Sequence, residues 1–291
     1  MQKRQSAPIK FTFLSQGDLK KVWNMEKTLD TVEEAFRLIG NDEIMQLHCL
    51  NMHLPMPFFS FVLPHPAYIK PWNVLGDKWA GCAAGNPPKG LPYAIGMTII
   101  NDAETLEPLA VMDAADLTAM RTAGHAAIGA KYLAKKDSSV LTIIGCGVEG
   151  RTHLEAICKL GLYDFKEVRI FDIRRDAMLA FKEEMDKALG LEIRIMESVQ
   201  AAAQGSDIIC GVTTSGEPLV LDEWVEPGTH VAASALYDVD SKITKTADKW
   251  VLGNNERDRL WIENVEAYKL YGLSFDDVYG DISEIVCGKK A

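Results

Sequence analysis

The sequence predicts an α/β chain, a doubly wound parallel sheet of the Rossmann type preceded by an α+β part. Three observations carry this. From Ser139 onward apolar strand-like runs alternate with helix-like runs, which argues a parallel sheet with crossover helices. The first of those strands runs straight into a glycine turn, Gly145-Cys-Gly-Val-Glu-Gly150. Before residue 118 the pattern is mixed helix and antiparallel strand, without that alternation.

In order, Met1 to Lys10 carries positive charge with no apolar run behind it, so no secretory leader is expected. Ser15, with Asp18 three residues on, reads as a helix cap before Leu19 and Val22. Leu29, Val32, Phe36 and Ile39 recur at helical spacing and predict a second helix. Phe58 to Ala67 is apolar and broken by proline. Strand-like runs follow at 77–84, 93–101 and 108–113, then a long alanine-rich helix from Leu117 to Lys135. Parallel strands are expected at 140–145, 167–172, 191–196, 207–212 and 229–234, with a sixth candidate at 249–252. Helical runs such as Asp176 to Leu189 lie between them. The tail returns to helix and loop.

The glycines have separate jobs. Gly145 permits the strand-to-helix turn, Gly147 lets a pyrophosphate approach the backbone, and Gly150 lets the helix pack on the sheet. The phosphates would sit at the N-terminus of the following helix, beside Val148 and Glu149, where free N–H groups and the helix dipole favour negative charge. The next strand ends on Asp172, about 20 residues past the last glycine, where a carboxylate meets the ribose hydroxyls. A dinucleotide site is therefore expected. Asp172 favours NAD, because it would repel the 2′-phosphate of NADP. Ile173 follows, and then Arg174 and Arg175, which could neutralise such a phosphate, so NADP stays open.

Composition narrows the rest. The 291 residues are 47% hydrophobic and 25% charged, as in a soluble globular protein. A net charge of −10 without a basic block argues against a nucleic-acid partner. No apolar run is long enough for a membrane span. The six cysteines are scattered without a C-x-x-C pair, and the six histidines show no ligand spacing. Reduced thiols in a cytoplasmic protein and no metal site are expected.

Several segments together resemble the ornithine cyclodeaminase / mu-crystallin family. They are Leu109 to Gly124, Ala130-Lys-Tyr-Leu-Ala134, Ile144 to Gly150, and His153-Leu-Glu-Ala156. Gly76-Asp-Lys-Trp79, Asn86, Gly90-Leu-Pro92, Asp207 to Ser215, and Gly280 to Lys290 add to the match, which spans nearly the whole chain in order. The resemblance implies a homodimer. It also implies a substrate-binding and dimerisation domain of residues 1–118 plus a returning segment 270–291, and a dinucleotide domain of residues 119–269. The shared chemistry is hydride transfer at a carbon bearing nitrogen and a carboxylate. The expected reaction is an NAD-dependent cyclodeamination, with an imine intermediate and release of ammonia. The alternatives are an imine reductase or amino-acid dehydrogenase with net cofactor turnover, and a non-catalytic binder of dinucleotide and small ligand.

Site roles follow from the same resemblance. Lys78 would bind the substrate carboxylate or polarise the imine; otherwise it is a solvated strand residue. Arg121 would grip a carboxylate or a cofactor phosphate through its planar fork, or form a surface ion pair. Thr122 would lie near the pyrophosphate. Asp238 would handle protons, with Asp240 and a loop-capping role as alternatives. Thr213, Thr214 and Ser215 would lie beside the nicotinamide ribose, or simply form a turn. Trp79 would wall the substrate pocket or fill the core. His125 and His153 read as satisfied helix residues.

Two departures stand out. No arginine occurs between Arg37 and Arg121, where cyclodeaminases carry one for the substrate carboxylate; His48 or Cys49 falls near that position. Family members generally continue for several tens of residues past the point matching Ala291, which is expected to complete the substrate domain.

Overall fold

The computed structural model describes residues 9–47 and 51–291. His48 and Cys49 lie outside the described residues, as do the first eight residues of the segment read for a leader. The chain divides into two compact units. One holds the residues up to Trp23 and Leu38–Thr118. The other holds Asn24–Arg37 and Ala119–Ala291.

The first unit is a mostly antiparallel sheet of eight strands among the described residues: β1 (Thr12–Leu14), β2 (Ile44–Gln46), β3 (Met52–His53), β4 (Ser60–Leu63), β5 (Pro66–Ile69), β6 (Val74–Ala83), β7 (Ala94–Asp102) and β8 (Pro108–Asp113). Their order is β1-β8-β7-β6-β4-β3, and β5 pairs with both β6 and β2. The Ser15 cap is present as a reciprocal box. Ser15 Oγ accepts from Asp18 N at 3.3 Å, and Asp18 accepts from Ser15 N at 3.1 Å. It starts a single turn, α1 (Gln16–Leu19).

The second unit carries a five-stranded, all-parallel sheet: β9 (Val140–Ile144), β10 (Glu167–Phe171), β11 (Ile193–Ile195), β12 (Ile208–Gly211) and β13 (His230–Ala233). The order is β11-β10-β9-β12-β13, so the direction of winding reverses beside β9. Leu141, Ile143, Ile170, Ile208 and Ile209 are fully buried, which is why these strands read as continuous apolar runs rather than alternating ones.

The sixth candidate does not extend this sheet. β14 (Val251–Leu252) pairs instead with β15 (Gly280–Asp281) in a separate two-stranded sheet. The Trp250 carbonyl accepts from Tyr279 N at 2.8 Å, and Asp281 accepts from Asn255 N at 2.8 Å, so the tail satisfies this strand.

The segment 270–291 groups with the second unit. Ile282, Ile285 and Val286 are buried there, and Cys287 Sγ reaches the Arg37 carbonyl at 3.5 Å. Most of helix α2 (Met25–Gly40) joins the same unit, packed on α3 (Ala115–Leu133). A β-carbon on Gly124 would stand 2.9 Å from Val32 Cγ2, so the glycine sets the approach. Glu33 accepts from Lys131 at 2.5 Å and from the Tyr132 hydroxyl at 2.7 Å.

Candidate active site

The glycine turn has the geometry its spacing implies. Gly145 has φ 110°, a backbone that side chains rarely adopt, and an added β-carbon would stand 2.7 Å from the Val212 carbonyl. A β-carbon on Gly150 would run into the Gly145 carbonyl oxygen. Gly147 differs: it caps helix α4 (Val148–Lys159), and nothing lies within 4 Å of where its β-carbon would be. The open space therefore sits at the one glycine assigned to phosphate approach. Val148 beside it is 68% exposed, and Glu149 is half-buried.

Two side chains hold the turn. Asp172, just past β10, accepts from Cys146 N at 2.8 Å through one oxygen and from Arg174 N at 2.9 Å through the other. Arg151 donates to the Cys146 and Gly147 carbonyls at 2.6 and 3.1 Å. Its Nε bonds Glu184 at 2.6 Å, and its guanidinium stands 5.1 Å above the Phe181 ring. Sequence reading missed Arg151. The available signal was its place one helical turn past Gly147, where a long donor can fold back onto the turn. Ile173 is 89% exposed, and Arg174 is exposed with its Nε 4.0 Å from Asp172. Cys146 is buried, which pushes its thiol up to about 12, so it is an inert wall and not a nucleophile.

At the end of β12, Thr213 donates to Asp238 through both its backbone N and its hydroxyl, each at 2.8 Å. Ser215 N donates in turn to Thr213 Oγ1 at 3.2 Å, and Thr214 is exposed. The other Asp238 oxygen accepts from Ala235 N at 2.8 Å. Asp238 is 1% exposed; burial raises its pKa above the usual carboxyl range despite these donors. Asp240, the alternative, caps helix α5 (Ser241–Thr246) by accepting from Lys242 N at 3.0 Å. The two aspartates thus have different work. Arg121 and Thr122 lie half-buried on α3. His125 packs on the Phe36 ring at 4.8 Å, while His153 is fully buried on α4.

In the first unit Lys78 lies on β6 with its Nζ 3.4 Å from the Thr118 hydroxyl. Trp79 is not beside it. Successive strand residues point to opposite faces, and Trp79 stands opposite Met97 on β7, both nearly half exposed. That alternation turns Trp79 to the face opposite Lys78, and at 45% exposure it is not a core aromatic of this unit. Among the described residues no group of three or more His, Cys, Asp or Glu could hold a metal.

The sequence pattern of the ornithine cyclodeaminase/mu-crystallin family matches residues 10–291. The chain belongs to that family. It is 33% identical over 288 residues to an alanine dehydrogenase of Archaeoglobus fulgidus, covering 95% of this chain and 84% of that one. It is 31% identical over 230 residues to the ketimine reductase mu-crystallin of Rattus norvegicus, covering 77% of this chain and 69% of the relative. Among solved structures, the Thermococcus litoralis Δ1-pyrroline-2-carboxylate reductase, in complex with NADH and L-proline, superposes with a TM-score of 0.89 at 31% identity. That match covers 96% of this chain and 87% of the reductase. An archaeal alanine dehydrogenase dimer with bound NAD gives 0.81 at 29% identity, over 96% and 86%.

Proposed function

We propose that this chain binds NAD and transfers a hydride at the carbon–nitrogen bond of an α-amino acid or its imine. The open space at Gly147, on the N-terminus of a helix whose turn is braced by Asp172 and Arg151, carries the first half of that reading. Bound NAD would accept or supply the hydride.

The chain's own residues divide the remaining work. The α4 N-terminus receives the pyrophosphate beside Val148 and Glu149. Asp172 faces the ribose hydroxyls and Ile173 offers an apolar side chain to the adenine, which favours NAD; Arg174 leaves NADP a weaker ligand. Thr213, Thr214 and Ser215 line the second ribose. Lys78 takes the substrate carboxylate; Arg121 takes a carboxylate or a cofactor phosphate, and Thr122 supports the phosphates. Asp238 holds Thr213 and Ala235 in place and is the residue assigned to proton exchange with the substrate nitrogen; burial raises its pKa above the usual carboxyl range.

Net turnover is the favoured outcome. Two relatives above 30% identity are named a dehydrogenase and a ketimine reductase, and the Thermococcus litoralis structure is a reductase. Cyclodeamination, a lyase reaction, is the other outcome of one assay. Purified chain is given NADH with cyclic imines, then NAD with L-alanine, L-ornithine and L-lysine. Absorbance at about 340 nm and ammonia are followed together. Absorbance change on imines or L-alanine supports the reductase or dehydrogenase reading. Ammonia from a diamino acid at constant absorbance supports cyclodeamination. Neither signal, with cofactor still bound, contradicts both.

We also propose a homodimer. Phe13, Trp79, Ile95, Met97 and Leu109 lie on one face of the first unit's sheet and are exposed. Such a patch on a soluble chain marks an interface, and a second copy of the same face suits it. The six cysteines are scattered without a C-x-x-C pair, which supports a cytoplasmic location. No helix among the described residues is long and apolar enough to cross a membrane.

A further inference from the structure

Ser234 follows β13 directly, at the carboxyl end of the five-stranded sheet, and is exposed. Its backbone N donates to the Gly211 carbonyl at 3.0 Å, which fixes the main chain. Its Oγ lies 3.3 Å from Nε2 of buried His153. The other ring nitrogen, Nδ1, lies 2.6 Å from the Glu149 carbonyl oxygen. A carbonyl can only accept, so Nδ1 carries the ring proton and Nε2 presents a lone pair. Burial drives the ring's pKa down to about 4, so it stays neutral and this tautomer persists at neutral pH. The Ser234 hydroxyl must therefore donate to His153. A serine has one such proton. With it spent, the exposed side of Ser234 offers lone pairs only.

A hydroxyl fixed this way selects a hydrogen-bond donor. We propose that Ser234 contacts the cofactor, accepting a hydrogen bond from the carboxamide N–H of the nicotinamide, with His153 as the positioning residue. This rests on the NAD reading above. In a sheet of this order the ligand crosses the carboxyl ends of the strands. The pyrophosphate belongs at the turn after β9 and the ribose at Thr213 after β12. β13 is the next strand, so the nicotinamide end reaches Ser234. Beyond the ribose, the only N–H or O–H donors on that end are the carboxamide hydrogens.

The test compares NADH with its reduced 3-acetylpyridine analogue, in which an acetyl group replaces the carboxamide and no N–H remains. Dissociation constants are measured for the wild type, Ser234→Ala and His153→Phe, with thermal unfolding as a check on the fold. The wild type should prefer NADH about five-fold, the worth of one hydrogen bond. Ser234→Ala removes an exposed hydroxyl and should bind both nucleotides alike, with NADH weakened to the analogue's level. His153→Phe frees the serine proton and should also shrink the preference. Because His153 is buried and its replacement is the riskier for folding, the Ser234 variant decides. A wild-type preference retained in Ser234→Ala overturns this proposal alone. Binding of neither nucleotide by the wild type overturns the NAD reading and this proposal with it.

Discussion

Asp238 joins the ends of two strands through one carboxylate, accepting from Thr213 on one oxygen and from Ala235 on the other. In Asp238→Asn an amide nitrogen either faces the Ala235 N–H, donor against donor, or displaces the Thr213 bonds. The variant should lose about 1–3 kcal/mol of stability, read by urea unfolding without cofactor. An unchanged midpoint would remove the clamping role. Buried His153 gives a pH dependence with a definite sign. Its pKa falls from 6.5 to about 4 on folding. Above 6.5 both states are neutral there, and the native state keeps its full stability. As pH falls through that window the unfolded chain takes up a proton that the folded chain refuses, so stability drops. The urea midpoint should fall between about pH 7 and pH 5, and fall less in His153→Phe. Equal losses in both proteins would contradict this. The sequence pointed to Asp238 by resemblance but could not show its burial or its bonds to Thr213, which lies 25 residues earlier at the end of the neighbouring strand. Trp79 shows the reverse limit. It neighbours Lys78 in sequence, yet strand alternation turns it to the other face.

At the scale of elements, the strand, glycine turn and helix were legible because each glycine answers a local constraint. Gly150→Ala should be costly, since its β-carbon meets backbone and not a flexible side chain. A loss of about 1–3 kcal/mol is expected, together with weaker NADH binding as the helix shifts. Wild-type stability in that variant would mean the close approach is not maintained. The Arg151 brace was not legible, because an arginine on a helix is usually a solvated side chain. The strand at 251–252 was found, but its partner was not. Apolar pattern reports that a segment is buried in a sheet and not which edge it joins. Here the partner lies in the last turns of the chain.

For the whole molecule, the alternation after residue 139 was enough to read a parallel sheet. What α2 packs on was not legible. An amphipathic helix declares that one face is buried; the residue that receives it, such as Gly124 beneath Val32, declares little by itself. The exposed apolar face of the first unit leads to a prediction at this scale. Light scattering should give twice the chain mass, and Met97→Lys should shift it to the chain mass with the fold retained. A monomeric wild type would contradict the homodimer. The central claim, that the glycine turn holds NAD, is tested most directly by the NADH affinity of Gly147→Ala. The added β-carbon meets no protein atom, at a φ of −82° that any residue adopts, so the unliganded unfolding temperature should be unchanged. It occupies the space assigned to the pyrophosphate, so NADH affinity should fall by about ten-fold or more. Wild-type affinity in that variant would place the cofactor elsewhere and contradict the account.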